Sequence, residues 1–361
     1  MIAALAAAVG IGMKVSLFVG TYTSAGGSEG IYRCDFDAET GEIGVPVLAA
    51  KAKNPSFLTI DQKNGRLFAV EETSEGVVSS YKIDGSKLKF ISMQGGAGSG
   101  LCHVSLDFDS QTLFTAAYGS GHAASFKVFE SGEIQPIATL FQNEGSGPNE
   151  SRQKGPHMHS MFPSPFGSKV YACDLGTDEI LMFDRQPDGT LVPSSPKSVK
   201  TVPGGGPRHL AFDRSGQYVY LANEMLCSVS VFERNLETGN LKLIQTIDTL
   251  PEGTALEGNS TAEIRCAQGS DFVYISNRGH DSITVFKAAD DGKLTLVQNV
   301  AAGVKTPRGF TLDLNGKFLI VAGQDGGGIV SFKIDQETGK LTQTPYRVEM
   351  SKPVCVKLFR K

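Results

Sequence analysis

The sequence predicts an all-β protein, a seven-bladed β-propeller of four-stranded antiparallel blades whose ring is closed by a blade shared between the two chain ends. Three observations predict it. A strand-rich unit recurs along the chain at intervals of 46, 55, 51, 56, 44 and 46 residues, counted from Pro55 through Leu101, Pro156, Pro207, Glu263 and Pro307 to Pro353. No stretch carries a helical period. The two ends each hold part of one unit and neither holds a whole one.

The unit is clearest after Gly206. Arg208 to Phe212 reads as a first strand, an Asp-Arg-Ser-Gly turn follows, and Tyr218 to Ala222 reads as the second. Ser228–Phe232 is the third strand, and a Glu-Thr-Gly turn leads to the fourth, Leu241–Ile247. Short runs rich in Val, Tyr and Phe between Gly, Asp and Asn turns are the signature of strands joined by hairpins. Second strands recur as RLFAVEE, TLFTAAY, KVYACDL, YVYLANE, FVYISNR and FLIVAGQ, and third strands as VVSSYKI, EILMFDR, SVSVFER, SITVFKA and GIVSFKI. The chain ends on a lone first strand at Pro353-Val-Cys-Val-Lys-Leu-Phe and begins with SLFVGTY and GIYRCDF, which lack one. Joining the ends completes the seventh blade and removes the open edge that a linear stack of repeats would leave. Residues 14–361 then form one domain, because repeat folds grow by adding units and not by adding cores.

Composition agrees with this reading and narrows the function. The 361 residues are 40% hydrophobic and 20% charged, with 42 Gly, no Trp and a net charge of −4. There is no run of Lys or Arg of the kind that tracks phosphates, so nucleic acid is not an expected partner. Cys34, Cys102, Cys173, Cys227, Cys266 and Cys355 are widely spaced and lie mostly in strand-like runs, without zinc-type clusters. Free buried thiols are expected, which suits a reducing compartment. Ile2 to Gly12 is apolar but too short to span a bilayer, and no membrane association is expected. Residues 1–13 read as an extension before Met13, or as the remnant of a signal peptide. The first reading puts the protein in the cytoplasm and the second in the periplasm. The Gly-rich stretches GGAGSG at 95–100 and GQDGGG at 323–328 lack the strand–turn–helix setting of a phosphate cradle and read as interblade or hairpin loops.

A propeller sets the first strand of each blade around the central channel, and the second strand returns antiparallel to it. The start of the first strand and the end of the second therefore share one face. Aligning the units places Phe57, His103, His159, His209, Arg265, Gly309 and Cys355 in one column there, with Arg208 and Arg308 one residue earlier and His157 on the longer approach of its unit. The second column holds Tyr22, Glu72, Tyr118, Leu175, Glu224, Arg278 and Gln324, with Asp174 and Asn277 one residue earlier. A column that served packing alone would be small or apolar and alike in every blade. These columns are polar, charged and different in each, which points to an asymmetric site on a symmetric scaffold. Arginine forks suit carboxylate, phosphate or a developing oxyanion, and a histidine can move a proton near neutral pH. No nucleophile elbow of the GxSxG type is present. Proton transfer or water attack on an anionic small molecule is the chemistry these residue types support.

At these residues the chain resembles the seven-bladed propeller lactonases, a family that includes propeller-type 6-phosphogluconolactonases and carboxymuconate-lactonizing enzymes. The resemblance spans Val15 to Phe359 and rests on Phe-Val-Gly-Thr-Tyr-Thr (18–23), Gly155-Pro-His-Met-His-Ser, Asp174-Leu-Gly-Thr-Asp178 and Gly206-Pro-Arg-His-Leu. It implies a catalytic group of His159, Arg208, Glu224 and Arg278, with His157 as a second candidate for the base. His157, His103, His209, Arg265, Arg308, Glu72, Tyr118, Asp174 and Asn277 are expected around the substrate. The implied reaction is hydrolysis of a small anionic sugar lactone, with 6-phosphogluconolactone foremost, without metal or other cofactor. Three other readings stay open: a muconate-type cycloisomerase, a non-catalytic binding propeller, and a calcium-dependent lactonase holding the ion with Glu72, Asp174, Glu224 and Asn277. The neighbouring arginines argue against the last. A monomer or weak homo-oligomer is expected.

Overall fold

The computed structural model describes residues 14–360; the extension read at residues 1–13 lies outside them. Twenty-eight strands form seven antiparallel sheets of four, and there is no helix among the described residues. No helix is therefore present there that is long and apolar enough to cross a membrane.

The reference unit folds as its pattern demands, with strands at Pro207–Phe212, Tyr218–Asn223, Ser228–Arg234 and Leu241–Asp248. Its first turn is built by Asp213, whose carboxylate accepts from the backbone amides of Ser215 at 3.1 Å and Tyr218 at 2.8 Å. Asp313 repeats the device two blades on, accepting from Asn315 at 3.1 Å and Phe318 at 2.7 Å. A short carboxylate that bonds its own turn is why Asp heads these loops. Residues 95–100 form a loop that joins one blade to the next, as expected, whereas in 323–328 residues 323–326 still belong to the strand Phe318–Gly326 and only Gly327 and Gly328 turn the hairpin.

The blade completed by the chain ends has the order Pro353–Phe359, Lys14–Thr21, Gly30–Asp37, Val47–Lys51. Ser16 pairs with Phe359 and Thr21 with Pro353. The closure is reinforced where the backbone amide of Tyr22 donates to Lys352 O at 3.0 Å and the Ser28 hydroxyl donates to Ser351 O. We number this blade one; blades two to seven follow in chain order. The seven channel strands each contact the next around the ring, including Pro353–Phe359 against Leu58–Asp61.

Apolar faces of neighbouring blades pack between the sheets, and a hydroxyl also ties each junction from blade two to blade one. Tyr171, Tyr220 and Tyr274 on second strands donate to the carbonyls of Gly239, Gly292 and Gly339 in the next blade's last turn, at 2.6, 3.2 and 3.0 Å. Where the second strand carries Phe68, Phe114 or Ile320 instead, the cross-strand partner is Ser80, Ser125 or Ser331. Those serines donate to Gly132, Gly189 and Gly41, at 2.6, 2.8 and 2.7 Å. The Val-Tyr pairs of the repeat are thus half apolar wedge, half interblade bond. The accepting glycines cannot be replaced freely: Gly292 has φ of +78°, and a Cβ there would lie 2.2 Å from the Tyr218 ring. The six cysteines are free, five of them buried and Cys266 partly so.

Candidate active site

Cross-strand pairing fixes which residues are equivalent from blade to blade. The second column holds as aligned. Asp174, Asn223 and Asn277 occupy one position, pairing with Met158, Pro207 and Thr261, so Leu175, Glu224 and Arg278 occupy the next. The backbone amides of Tyr22, Glu72, Tyr118, Leu175 and Glu224 all make the same bond, to the carbonyl leading into their channel strand.

The first column is corrected at two residues. Because Met158 and Thr261 take the place of Pro207, Pro156 and Glu263 are not the equivalents of Pro207 that the alignment assumed. His159 therefore shares its position with Arg208, Arg308 and Cys102. His103, His209, Glu263 and Phe57 fall one residue further, and Arg265 two further again, level with Lys357. The cause lies in the approaches: the segments before Met158 and Ser260 are longer than those before the other channel strands. Proline spacing measures the loop, whereas hydrogen-bond register measures the strand.

These positions divide the polar residues into two levels of the channel. The mouth holds, in blade order, Tyr22, Glu72, Cys102 with Tyr118, His159, Arg208 with Glu224, Arg278 and Arg308. Glu224 is its centre. One carboxylate oxygen accepts from Arg208 Nε and Arg278 Nη2, both at 3.0 Å, and lies 3.8 Å from His159 Nε2. The other accepts from Arg152 Nη2 at 2.9 Å, and that nitrogen also donates to the Tyr118 hydroxyl at 2.9 Å. The four residues of the implied catalytic group thus converge. His159, Arg208 and Glu224 are 4%, 2% and 5% exposed, so their charges and lone pairs act with little screening by water.

The electrostatics follow from that burial. Burial alone would raise the Glu224 pKa, but the charges of Arg278 and Arg208, then His159, and the bond from Arg152 hold it well below the usual carboxylate range. Burial, and then the charges of Arg278 and Arg308, push Arg208 down to about 10, which leaves it cationic at neutral pH. Burial, then Arg208 and His209, hold His159 well below the ordinary imidazole value, so it is neutral. Its Nδ1 lies 3.9 Å from the Cys102 sulfur, which leaves Nε2 as the nitrogen facing Glu224. Burial pushes the Cys102 thiol up to about 12, and it donates to His159 O at 3.2 Å instead of ionising. A neutral imidazole beside guanidinium groups can accept a proton while the arginines stabilise negative charge on oxygen.

His157 is turned to the rim. Its ring stacks on Tyr118 with centroids 4.6 Å apart, Nδ1 lies 2.8 Å from Tyr118 O, and its backbone amide donates to Asp174 at 2.8 Å. Tyr118 is also edge-on to His159 at 5.6 Å. Glu72 accepts from the Tyr22 hydroxyl at 2.9 Å, and Arg308 lies over the Tyr22 ring at 5.5 Å.

Three residues expected near substrate lie deeper. His103 and His209 pack together at 5.2 Å among Phe57 and Phe162, and His209 reaches His159 at 5.2 Å. Glu263 lies 3.6 Å from His209 Nδ1 and 3.2 Å from Arg265 Nε. Lys357 stands 4.5 Å over the Phe57 ring; burial, then the charge of Arg265, lower it to about 8. These groups floor the mouth without joining it.

Two expected substrate contacts are corrected. Asp174 is fully buried and accepts from Asn143 at 2.8 Å, from His157 N at 2.8 Å and from Gly176 N at 2.9 Å. Asn277 is fully buried and donates to Ser282 and Thr284, both at 3.0 Å. One residue before the mouth column, the strand's alternation turns both side chains into the blade. The four oxygen residues of the calcium reading accordingly go to four separate sets of partners.

Arg152 is the residue that repeat reasoning misses. It lies in the approach between Gln142 and Met158, which is longer than that of any other blade, so no column contains it. The signal available was that extra length itself, which carries His157 as well.

The seven-bladed propeller that carries this mouth is the architecture of a known class of enzymes. Residues 16–358 match the family described as "Lactonase, 7-bladed beta-propeller", so the chain belongs to the seven-bladed propeller lactonases and is a lactone-hydrolysing enzyme. It is 37% identical over 348 residues to the 6-phosphogluconolactonase of Bacillus subtilis (strain 168), covering 95% of this chain and 98% of that one. It is 31% identical over 353 residues to the 6-phosphogluconolactonase of Formosa agariphila, covering 95% and 99%. The solved structure of a periplasmic gluconolactonase from Pseudomonas aeruginosa superposes with a TM-score of 0.89 at 30% identity, over 96% of this chain and 99% of that one.

Proposed function

We propose that this enzyme hydrolyses 6-phosphogluconolactone to 6-phosphogluconate, with His159 as general base. The observation that carries the reading is the neutral imidazole of His159 beside two arginines that share Glu224 and still have free donors. Arg208 Nη2 and Arg278 Nη1 bond nothing among the described residues. Nε2 of His159 takes a proton from water as the water oxygen attacks the lactone carbonyl. The carbonyl electrons move onto oxygen, and that oxyanion is held by Arg208 and Arg278. Collapse re-forms the carbonyl and breaks the ring C–O bond, and the leaving alkoxide takes the proton back from the imidazolium. The acid then ionises, so each turnover releases one proton. Glu224, 3.8 Å from Nε2, stabilises the transient imidazolium and holds the two arginines in place.

The phosphorylated substrate is supported by two things. Two relatives at 37% and 31% identity are 6-phosphogluconolactonases. The mouth also sets Arg152, Arg208, Arg278 and Arg308 against Glu72 and Glu224, a surplus of positive charge that a dianion would balance. The test is turnover of 6-phosphogluconolactone, corrected for spontaneous hydrolysis, beside a muconolactone and an unphosphorylated aldonolactone. Preference for the first supports the proposal; turnover of the muconolactone alone would replace it with the cycloisomerase reading, and no turnover of any would leave a binding propeller.

A further inference from the structure

Arg308 differs from every other arginine at the mouth. Glu224 is shared by Arg152, Arg208 and Arg278, whereas Arg308 has no hydrogen bond and no ion pair among the described residues. Its guanidinium carbon lies over the Tyr22 ring, 5.5 Å from the centroid, and Tyr22 is fixed in turn by its bond to Glu72 at 2.9 Å. An arginine held over an aromatic ring by cation–π attraction keeps its charge and its N–H donors. Five donors held in one plane with no acceptor inside the protein point to an acceptor that comes from outside.

Its position says which part of a ligand that acceptor belongs to. Arg308 occupies the register position of His159 and Arg208, at the same height in the channel. It belongs to blade seven, and in a closed ring of seven, blade seven lies across from blades three and four. Blade four carries His159. A ligand whose reacting carbonyl is at His159 therefore extends its far end toward Arg308.

We propose that Arg308 and Tyr22 form the subsite for the phosphate of the substrate, a phosphomonoester at the end of the sugar chain remote from the lactone carbonyl. This rests on the hydrolytic reading of the mouth. Arg308 grips two phosphate oxygens, Tyr22 backs its guanidinium, and Glu72 orients Tyr22. Arg208 and Arg278 stay at the carbonyl. Phosphate binding is thereby placed across the channel from His159, and chain length between carbonyl and phosphate becomes a selection rule.

The experiment compares wild type, Arg308→Gln and Arg308→Lys on 6-phosphogluconolactone and on unphosphorylated glucono-δ-lactone, and measures inorganic phosphate as an inhibitor. A bidentate charged contact corresponds to roughly 10- to 100-fold in binding. Arg308→Gln is expected to raise KM for the phosphorylated lactone by that factor, with kcat little changed. Its loss on the phosphorylated lactone should exceed its loss on the neutral one by at least about tenfold. Inhibition by inorganic phosphate should weaken in parallel, and Arg308→Lys should restore part of it by supplying the charge without the fork. Equal losses on the two lactones, or unaltered phosphate inhibition, would overturn the subsite. If wild type fails to hydrolyse 6-phosphogluconolactone above the spontaneous rate, the hydrolytic reading falls instead. Calorimetric binding of inorganic phosphate to wild type and Arg308→Gln then still decides whether Arg308 is a phosphate site.

Discussion

His159 Nε2 lies 3.8 Å from the carboxylate of Glu224, close enough to feel its charge and too far to hydrogen-bond to it. In a Ser-His-Asp triad the carboxylate bonds the nitrogen remote from the reaction. Here the remote nitrogen, Nδ1, faces the Cys102 thiol at 3.9 Å, and the carboxylate sits on the reacting side. Glu224 is thus placed to stabilise the imidazolium and the arginines together, and the gap leaves Nε2 free to take a proton from water.

Replacing His159 by Ala is expected to lower kcat about 10²–10⁴-fold with the fold retained, the usual worth of a positioned base. Steady-state kinetics with circular dichroism checks it. Unaltered turnover removes His159 from the base role and passes it to His157. Because burial, Arg208 and His209 hold His159 below the ordinary imidazole value, the acidic limb of kcat/KM is expected below pH ~6.5. A limb at or above that value would contradict a buried neutral base.

Glu224 is also the counter-ion of a buried arginine. Replacing it by Gln leaves Arg208, 2% exposed, without its charge partner, and such losses cost about 3–5 kcal/mol. The pH dependence has a definite sign. The folded-state pKa of Glu224 is depressed, so its contribution is full above the unfolded value near 4.3 and is lost as pH falls below that toward the folded value. Denaturant unfolding of Glu224→Gln should therefore begin from a lower stability and fall less steeply between roughly pH 5 and pH 3 than that of wild type.

A separate acid sensitivity comes from the clustered imidazoles, which meet edge to face. His103, His159 and His209 all have pKa values held well below ordinary, by burial first and then by His209 for His103 and by Arg208 for the other two. The unfolded chain binds protons on them below about pH 6.5 and the folded chain does not, so stability is full above that pH and declines below it. Each contributes a slope of up to about 1.4 kcal/mol per pH unit. His103→Gln keeps an acceptor for the Met161 amide, which bonds Nδ1 at 3.3 Å, and should remove about a third of the slope between roughly pH 6.5 and 5. An unaltered slope would mean that the acid loss arises elsewhere.

What the sequence could show followed from what repeats. The seven blades, the split closure and the second column were legible because strand length and turn chemistry recur at fixed offsets from the Val-Tyr pairs. His159, Arg208, Glu224 and Arg278 stood out as breaks in that regularity. The one-residue misplacement of His159 and the two-residue misplacement of Arg265 arose from measuring loops by their prolines, although only cross-strand hydrogen bonds define register. Asp174 and Asn277 read as substrate contacts because a polar residue next to a site column resembles a site residue; alternation along the strand turns them inward. Arg152 was invisible for the opposite reason, since it belongs to an inserted segment and a repeat alignment has no place for it.

The hydroxyl that ties each blade to the next makes a prediction about the scaffold. Tyr171, Tyr220 and Tyr274 bond the glycine carbonyl of the next blade from the second strand, whereas Ser80, Ser125 and Ser331 do so from the third. The tyrosines face Met182, Val231 and Val285 across the strand pair, so each junction carries one hydroxyl donor and one apolar partner. Tyr171→Phe leaves the Gly239 carbonyl without that donor and frees Arg234 Nε, which bonds the same hydroxyl at 2.8 Å; it should cost roughly 1–3 kcal/mol. Tyr274→Phe loses one bond and should sit at the lower end of the same range. The decisive variant is the transfer: Tyr274→Phe with Val285→Ser rebuilds the arrangement of Phe114 and Ser125. Denaturant unfolding should show the pair more stable than the sum of its single changes by about 1 kcal/mol. Additive losses would show that the hydroxyl's place on the blade matters as much as its presence.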